Sequence, residues 1–184
     1  APKTAEVQHK SGLWYLSVTL DCEPERQGGA LAMGMDWGLE TFATCVDADG
    51  QTHSVANPRF LDKPQRQKLK LLQQAASRKT NKRSNRRRKA VKLLSTECRN
   101  IANRRKDFLH QTSADLVAKY GLIATEGLNV KGMTASGGAY KKGLNRSILD
   151  TAPSTFLNLL KTKAEEAGSM WGEVPPRRVN PRQP

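Results

Sequence analysis

The chain is poor in cysteine, in aromatic residues and in acid. Its three cysteines, Cys22, Cys45 and Cys98, are far apart, and none forms a C-x-x-C pair. Within these residues that argues against a disulfide framework or a thiolate zinc site, and it fits a reduced, cytoplasmic setting. Aromatic residues make up only 5%, so little is available for stacking on nucleobases. No uninterrupted apolar run is long enough to cross a membrane. The first residues, APKTAEVQHKSG, lack the apolar centre of a signal peptide. Acids number 17 against 31 Lys and Arg, for a net charge of +14. Such a charge says little about fold. It favours an anionic partner, either nucleic acid or an anionic membrane surface. At 184 residues and 37% hydrophobic, the chain can bury the core of one domain.

The stretch LAMGMDWGLETFATCVDADG, Leu31–Gly50, organises the rest. Period-two alternation sets Leu31, Met33 and Met35 on one strand face and Ala32, Gly34 and Asp36 on the other. Asp36 therefore ends a strand beside small neighbours, and Gly38 allows a tight turn after it. A returning strand is expected over Thr41–Val46, a hairpin turn at Asp49-Gly50, and a third strand over Gln51–Ala56. Upstream, LWYLSVTL (Leu13–Leu20) reads as a half-buried strand with Trp14, Leu16, Val18 and Leu20 inward. Trp14 and Trp171 are expected to be core residues. Asp21–Gly29 reads as a linker.

Past Phe60 the pattern turns helical. Pro64 suits a first turn capped by Asp62 or Lys63, with Leu69, Leu72 and Ala76 on one stripe. Ser77–Lys89 carries eight Lys or Arg in thirteen residues. A second, long helix capped by Ser84 is expected to bury Val91, Leu94, Cys98, Ile101 and Phe108, and to stop at Gly121. The two helices read as a hairpin with a basic tip. From Lys63 to Lys106 there are 17 Lys or Arg against one acid, Glu97. That asymmetry points to phosphate-backbone binding. The candidates are Arg78, Lys79, Lys82, Arg83, Arg86, Arg87, Arg88, Lys89, Arg104 and Arg105. The scarcity of aromatics points to backbone rather than base contacts.

Leu122–Glu126 is a short apolar run directly after a helix, the way a strand joins a parallel sheet. It ends on Glu126, with Ala124 on the same face. Lys131–Asn145 reads as a mobile, glycine-rich loop. Pro153 opens a helix with Phe156, Leu160, Lys163 and Ala167 on one stripe and Gly168 as its stop. Trp171–Val179 reads as a final edge strand, restricted by Pro175-Pro176. The expected order is three strands, helices, a strand, a helix and a strand. This is an α/β chain with the element order of a ribonuclease H-like fold. In that arrangement Asp36 and Glu126 sit at strand ends, where hard carboxylate oxygens suit Mg²⁺.

Four blocks resemble the TnpB (OrfB) proteins of insertion sequences, relatives of the type V CRISPR effector nucleases. GMDWGLETFAT is similar to the family segment G-[IV]-D-x-G-x-x-x-x-A-T, which carries its first catalytic Asp. NPRFL (57–61) resembles the stretch before the family's helical hairpin. NRRKDFLHQTSADLV (103–117) resembles N-x-R-x-D-x-x-H-x-x-S-x-x-[IL]-V. ATEGLNVKGM resembles V-x-E-x-L-N-[VI]-x-G-M, which carries the catalytic Glu. The resemblance implies a RuvC-like nuclease domain over 28–184, following a closing strand of a wedge domain in 1–27. It implies catalytic, metal-binding roles for Asp36 and Glu126, a pair of Mg²⁺ ions, and guide RNA and target DNA as partners. The family continues into a C-x-x-C zinc ribbon and a third catalytic Asp, so Zn²⁺ is expected only in that ribbon. After Val179-Asn180-Pro181 this chain gives Arg182, Gln183 and Pro184. The domain is therefore expected to be C-terminally incomplete, by native truncation or by cutting, with enzymatic activity open. Asp150 is expected to cap a helix. Glu173 is a poor substitute for the third acid. The alternative reading is a nuclease-dead nucleic-acid-binding protein or an inactive fragment of such a transposase.

Overall fold

The structure is a computed structural model that describes residues 2–10, 12–23, 25–78, 84–135 and 138–175. The chain divides into two compact units. One comprises residues 1–24 and 60–107; the other comprises 25–59 and 108–184.

The second unit holds a five-stranded sheet of β3 (Leu31–Trp37), β4 (Thr41–Asp47), β5 (Thr52–Ala56), β6 (Tyr120–Glu126) and β7 (Met170–Val174), in the order β5-β4-β3-β6-β7. β3, β4 and β5 form an antiparallel meander, whereas β6 runs parallel to β3 and β7 parallel to β6. The meander follows from its turns. At Gly38 an added Cβ would lie 2.7 Å from the Thr41 carbonyl oxygen, so only glycine fits. The Asp49-Gly50 turn closes with the Gly50 amide donating to the Asp47 carbonyl. β7 is an edge strand, where the prolines that follow it cost no ladder bond.

One sheet face is the core. Met33, Met35 and Trp37 alternate inward from β3, Cys45 from β4, and Ile123 and Thr125 from β6. A register shift between Thr41 and Ala43 against β5 turns both Phe42 and Ala43 inward. The Phe42 ring meets the edges of Phe108 at 4.9 Å and Phe156 at 4.8 Å. Leu109, Leu116 and Val117 from the end of α2 (Asn85–Lys119) complete the core, with Phe156, Leu160 and Ala164 of α5 (Pro153–Glu166). The predicted mobile loop is mostly helix: α3 covers Val130–Met133 and α4 covers Ala139–Thr151. The Asn129 side chain caps α3, and buried Ile148 ties α4 to the core.

Two local expectations fail. Gly121 does not stop α2 in a left-handed turn; it lies inside β6 with an ordinary φ. Its role is steric, because an added Cβ would lie 2.2 Å from the Gly29 carbonyl oxygen. Gly29 in turn donates its amide to the Val117 carbonyl, so the end of the "linker" is packed backbone. Asp150 sits buried near the end of α4, and the residue at the cap position of α5 is Ala152 at φ 49.

The first unit contains β1 (Pro2–Lys10) and β2 (Leu13–Leu20), an antiparallel hairpin, and α1 (Lys63–Ser77) packed against the first part of α2. The sequence reading missed β1. Every described residue of the hairpin is exposed, including Trp14 at 74%, which overturns the half-buried reading. A lone two-stranded ribbon offers no second layer for Trp14, Leu16 and Val18 to pack on. α1 starts where expected, with the Asp62 carboxylate accepting from the Gln65 amide and Pro64 in the first turn.

The seam between α1 and α2 differs from the heptad expected. Val91 and Cys98 are exposed; the inward positions are Ala90, Leu94, Glu97 and Ile101. Their steps of four, three and four include the acid that an apolar pattern search rejects. The Glu97 carboxylate accepts from Gln65 Nε2 at 2.7 Å and Lys68 Nζ at 2.8 Å.

Candidate nuclease site and basic hairpin

Asp36 and Glu126 become neighbours through strand register. Met35 pairs with Thr125 across the parallel β3–β6 ladder, and Gly34 pairs with Ala124. Asp36 and Glu126 are the next residues on each strand. Adjacent strands lie about 4.8 Å apart, and residues in register share a face. Met35 and Thr125 point into the core, so the two acids stand on the opposite face. Asp36 is exposed and Glu126 half-buried.

The ground in front of them is open. A Cβ on Gly34 would meet nothing within 4 Å, and Ala124 is the neighbour on β6. Two carboxylates side by side next to open space form a hard-oxygen donor set, which fits a divalent cation such as Mg²⁺. Among the described residues, no group of three or more His, Cys, Asp or Glu could hold a metal. Glu173 pairs with Thr125, which gives it the core-side register and not that of Asp36. Its Oε2 does come within 3.8 Å of where a Cβ on Gly127 would stand, so it borders the same end of the sheet.

The predicted phosphate contacts divide into three groups. Arg86, Arg88 and Lys89 are exposed on the first turns of α2, Arg78 is exposed at the end of α1, and Arg104 is exposed further along α2. Arg87 is half-buried, and Arg105 lies with its guanidinium 5.5 Å from the centre of the Phe60 ring, so part of its surface is spent on packing. Lys79, Lys82 and Arg83 lie outside the described residues. Glu97, the one acid between Lys63 and Lys106, faces α1. Hydrogen bonds from Lys68 first, and Gln65 second, hold its carboxyl below the ordinary value.

Sequence reasoning placed Lys163 on one helix stripe with Phe156, Leu160 and Ala167 but gave it no role. It is 7% exposed, and its ammonium donates to Ser113 Oγ at 2.8 Å and to the His110 carbonyl, stitching α5 to α2. Burial pushes its pKa below the ordinary lysine value. The legible signal was a lysine recurring with Phe156 and Leu160 at helical spacing.

The sheet order, the strand-end acids and the helices define a RuvC-like α/β domain. A CRISPR-Cas12f chain, solved by cryo-electron microscopy in a ternary complex, superposes with a TM-score of 0.55 at 14% identity, covering 90% of this chain and 32% of that one. The chain belongs to the OrfB_IS605 family, described as "Probable transposase", which it matches over residues 7–137. It is similar to "Putative RNA-guided DNA endonuclease InsQ" of Escherichia coli K12, with 29% identity over 98% of this chain and 46% of that protein. A "Putative RNA-guided DNA endonuclease" of Streptomyces pristinaespiralis is 27% identical over 88% of this chain and 38% of that protein. The chain thus spans less than half the length of either relative. Among the described residues, no helix is long and apolar enough to cross a membrane.

Proposed function

We propose that this chain is the RuvC-like nuclease portion of a transposon-encoded, RNA-guided DNA endonuclease, with guide RNA and target DNA as its partners. The observation that carries the reading is the pairing of Met35 with Thr125, after which Asp36 and Glu126 come next on neighbouring strands, toward an open sheet face. When bound there, Mg²⁺ would activate a water and stabilise the leaving oxygen of a phosphodiester. The chain's own part is to hold two carboxylate donors on rigid, adjacent strands and to leave space at Gly34 for the scissile phosphate. The exposed cations of α1 and α2 hold the polyanion through its backbone, so the reading includes non-specific binding that weakens with salt. The description of its relatives as RNA-guided DNA endonucleases supports this reading.

The test uses the protein with its guide RNA and a matching DNA target. Asp36→Ala and Glu126→Ala should each abolish cleavage while binding persists. Cleavage by either variant contradicts the reading. A second reading, nucleic-acid binding without cleavage, is favoured by one observation: no third metal-ligating side chain joins the pair among the described residues. Binding with no Mg²⁺-dependent cleavage by the wild type would select it.

A further inference from the structure

The outer surface of the helical hairpin is cationic and suited to phosphates, but the hairpin also has a cleft of different chemistry. The cleft is about 510 Å³ and is lined by Gln65, Lys68, Glu97, Asn100, Asn103 and Arg104. It contains no aromatic or aliphatic side chain. It gathers amides, cations and the single carboxylate between Lys63 and Lys106.

Glu97 forms the floor, its side chain only 14% exposed. One oxygen accepts from Gln65 and the other from Lys68. A carboxylate has about four lone-pair sites, so acceptor capacity remains on both oxygens. Asn100 and Arg104 follow Glu97 along α2 at spacings of three and seven, on one helix face, and Asn103 borders it next to Asn100. Seven residues separate Glu97 from Arg104, a rise of about 10 Å along the axis, enough to span one base. Arg104 and Glu97 line the same cleft, which sets donor and acceptor across one space.

A half-buried carboxylate repels a phosphate, so the backbone is the wrong occupant for the floor. Base edges are the right one. Among the bases, guanine alone presents two adjacent donors on its Watson–Crick edge, N1–H and N2–H₂, which one carboxylate can accept together. Its O6 and N7 are acceptors that an arginine or amide side chain can meet. In a duplex those donors are already paired, so the base must be unpaired.

We propose that the α1–α2 cleft is a base-reading subsite that takes one unpaired guanine of a single-stranded nucleic acid, with Glu97 on the Watson–Crick edge and Arg104, helped by Asn100, on the acceptors. This rests on the reading that the hairpin binds nucleic acid, and it adds sequence preference at one position. RNA and DNA both supply such a base, because the cleft chemistry addresses only the base.

The test is fluorescence anisotropy on the full chain. The probes are labelled oligouridylates carrying one central guanine, inosine, adenine or cytosine, together with the corresponding oligothymidylates. The guanine probe should bind about tenfold tighter than the adenine probe, the effect of one good two-point contact. Inosine, which lacks the N2 amine, should fall between them. Glu97→Gln should remove the guanine preference, so that the guanine and adenine probes bind with equal affinity. Asn100→Ala, which leaves the contacts of Glu97 with Gln65 and Lys68 intact, should weaken the preference even if Glu97→Gln loosens the hairpin. Equal, salt-sensitive binding of all bases by the wild type would overturn the subsite and leave the backbone reading standing. No binding of any probe at low salt would overturn both. A preference that survives both substitutions would overturn the assignment to this cleft. If one backbone series shows the preference and the other does not, the subsite stands and the sugar is assigned.

Discussion

Asp36 and Glu126 stand side by side because Met35 pairs with Thr125 one residue earlier on two parallel strands. A one-residue slip of β6 against β3 would bury Glu126 in the core and expose Thr125. The metal-binding reading therefore depends on the packing of Met33, Met35 and Ile123, which fixes that register.

The hairpin should loosen in acid. Glu97 has a lowered carboxyl pKa in the folded state, through Lys68 and then Gln65. A lowered acid contributes stability above its unfolded value of about 4.5 and loses it as pH falls through the lower folded value. Thermal melts should show the wild type losing stability relative to Glu97→Gln as pH drops below that range. Parallel curves would contradict the assignment.

The corrected seam makes an ordering of substitutions. Ile101→Asp buries an unpaired carboxylate where the side chain is 4% exposed, and should cost on the order of 3 kcal/mol or more. Cys98→Asp, at an exposed position, should change stability by less than about 0.5 kcal/mol. Denaturant midpoints ranked the other way would mean the inward face is wrong.

Lys163 should make alkaline conditions favourable. Its folded pKa lies below the unfolded value of 10.5, because burial penalises the ammonium form. The penalty is complete below the folded pKa and fades as pH rises toward 10.5, so stability increases across that window. Wild type should gain on Lys163→Met as pH is raised from neutral toward 10. The thiol of Cys45, raised by burial, is common to both proteins and cancels. A constant difference between the two would show that Lys163 keeps an ordinary pKa.

What was legible in the sequence is what local rules determine. Period-two alternation around Asp36, the Asp49-Gly50 turn and Pro64 in a first turn each describe a few contiguous residues, and each element formed as read. What escaped depends on distant partners. Glu97 is inward only because Gln65 and Lys68 meet it from α1, so an apolar search slid the seam by one position to Cys98. Gly121 looked like a helix stop because its true constraint, the approach of Gly29, lies about ninety residues away. Trp14 looked buried because alternation identifies an apolar face without saying whether anything covers it. At the candidate site the strand-end acids were legible one by one, while their adjacency is a property of the β3–β6 register.

The most direct measurement of the central claim is a Mg²⁺ titration read by melting temperature, on wild type, Asp36→Asn, Glu126→Gln and the double variant. The account predicts that Mg²⁺ raises the melting temperature of the wild type only, and that the double variant is no worse than either single one, because one ion needs both carboxylates. It also predicts that in EDTA each single variant melts no lower than wild type, since removing one of two adjacent like charges relieves repulsion. A metal-dependent rise that persists undiminished in either single variant would contradict it.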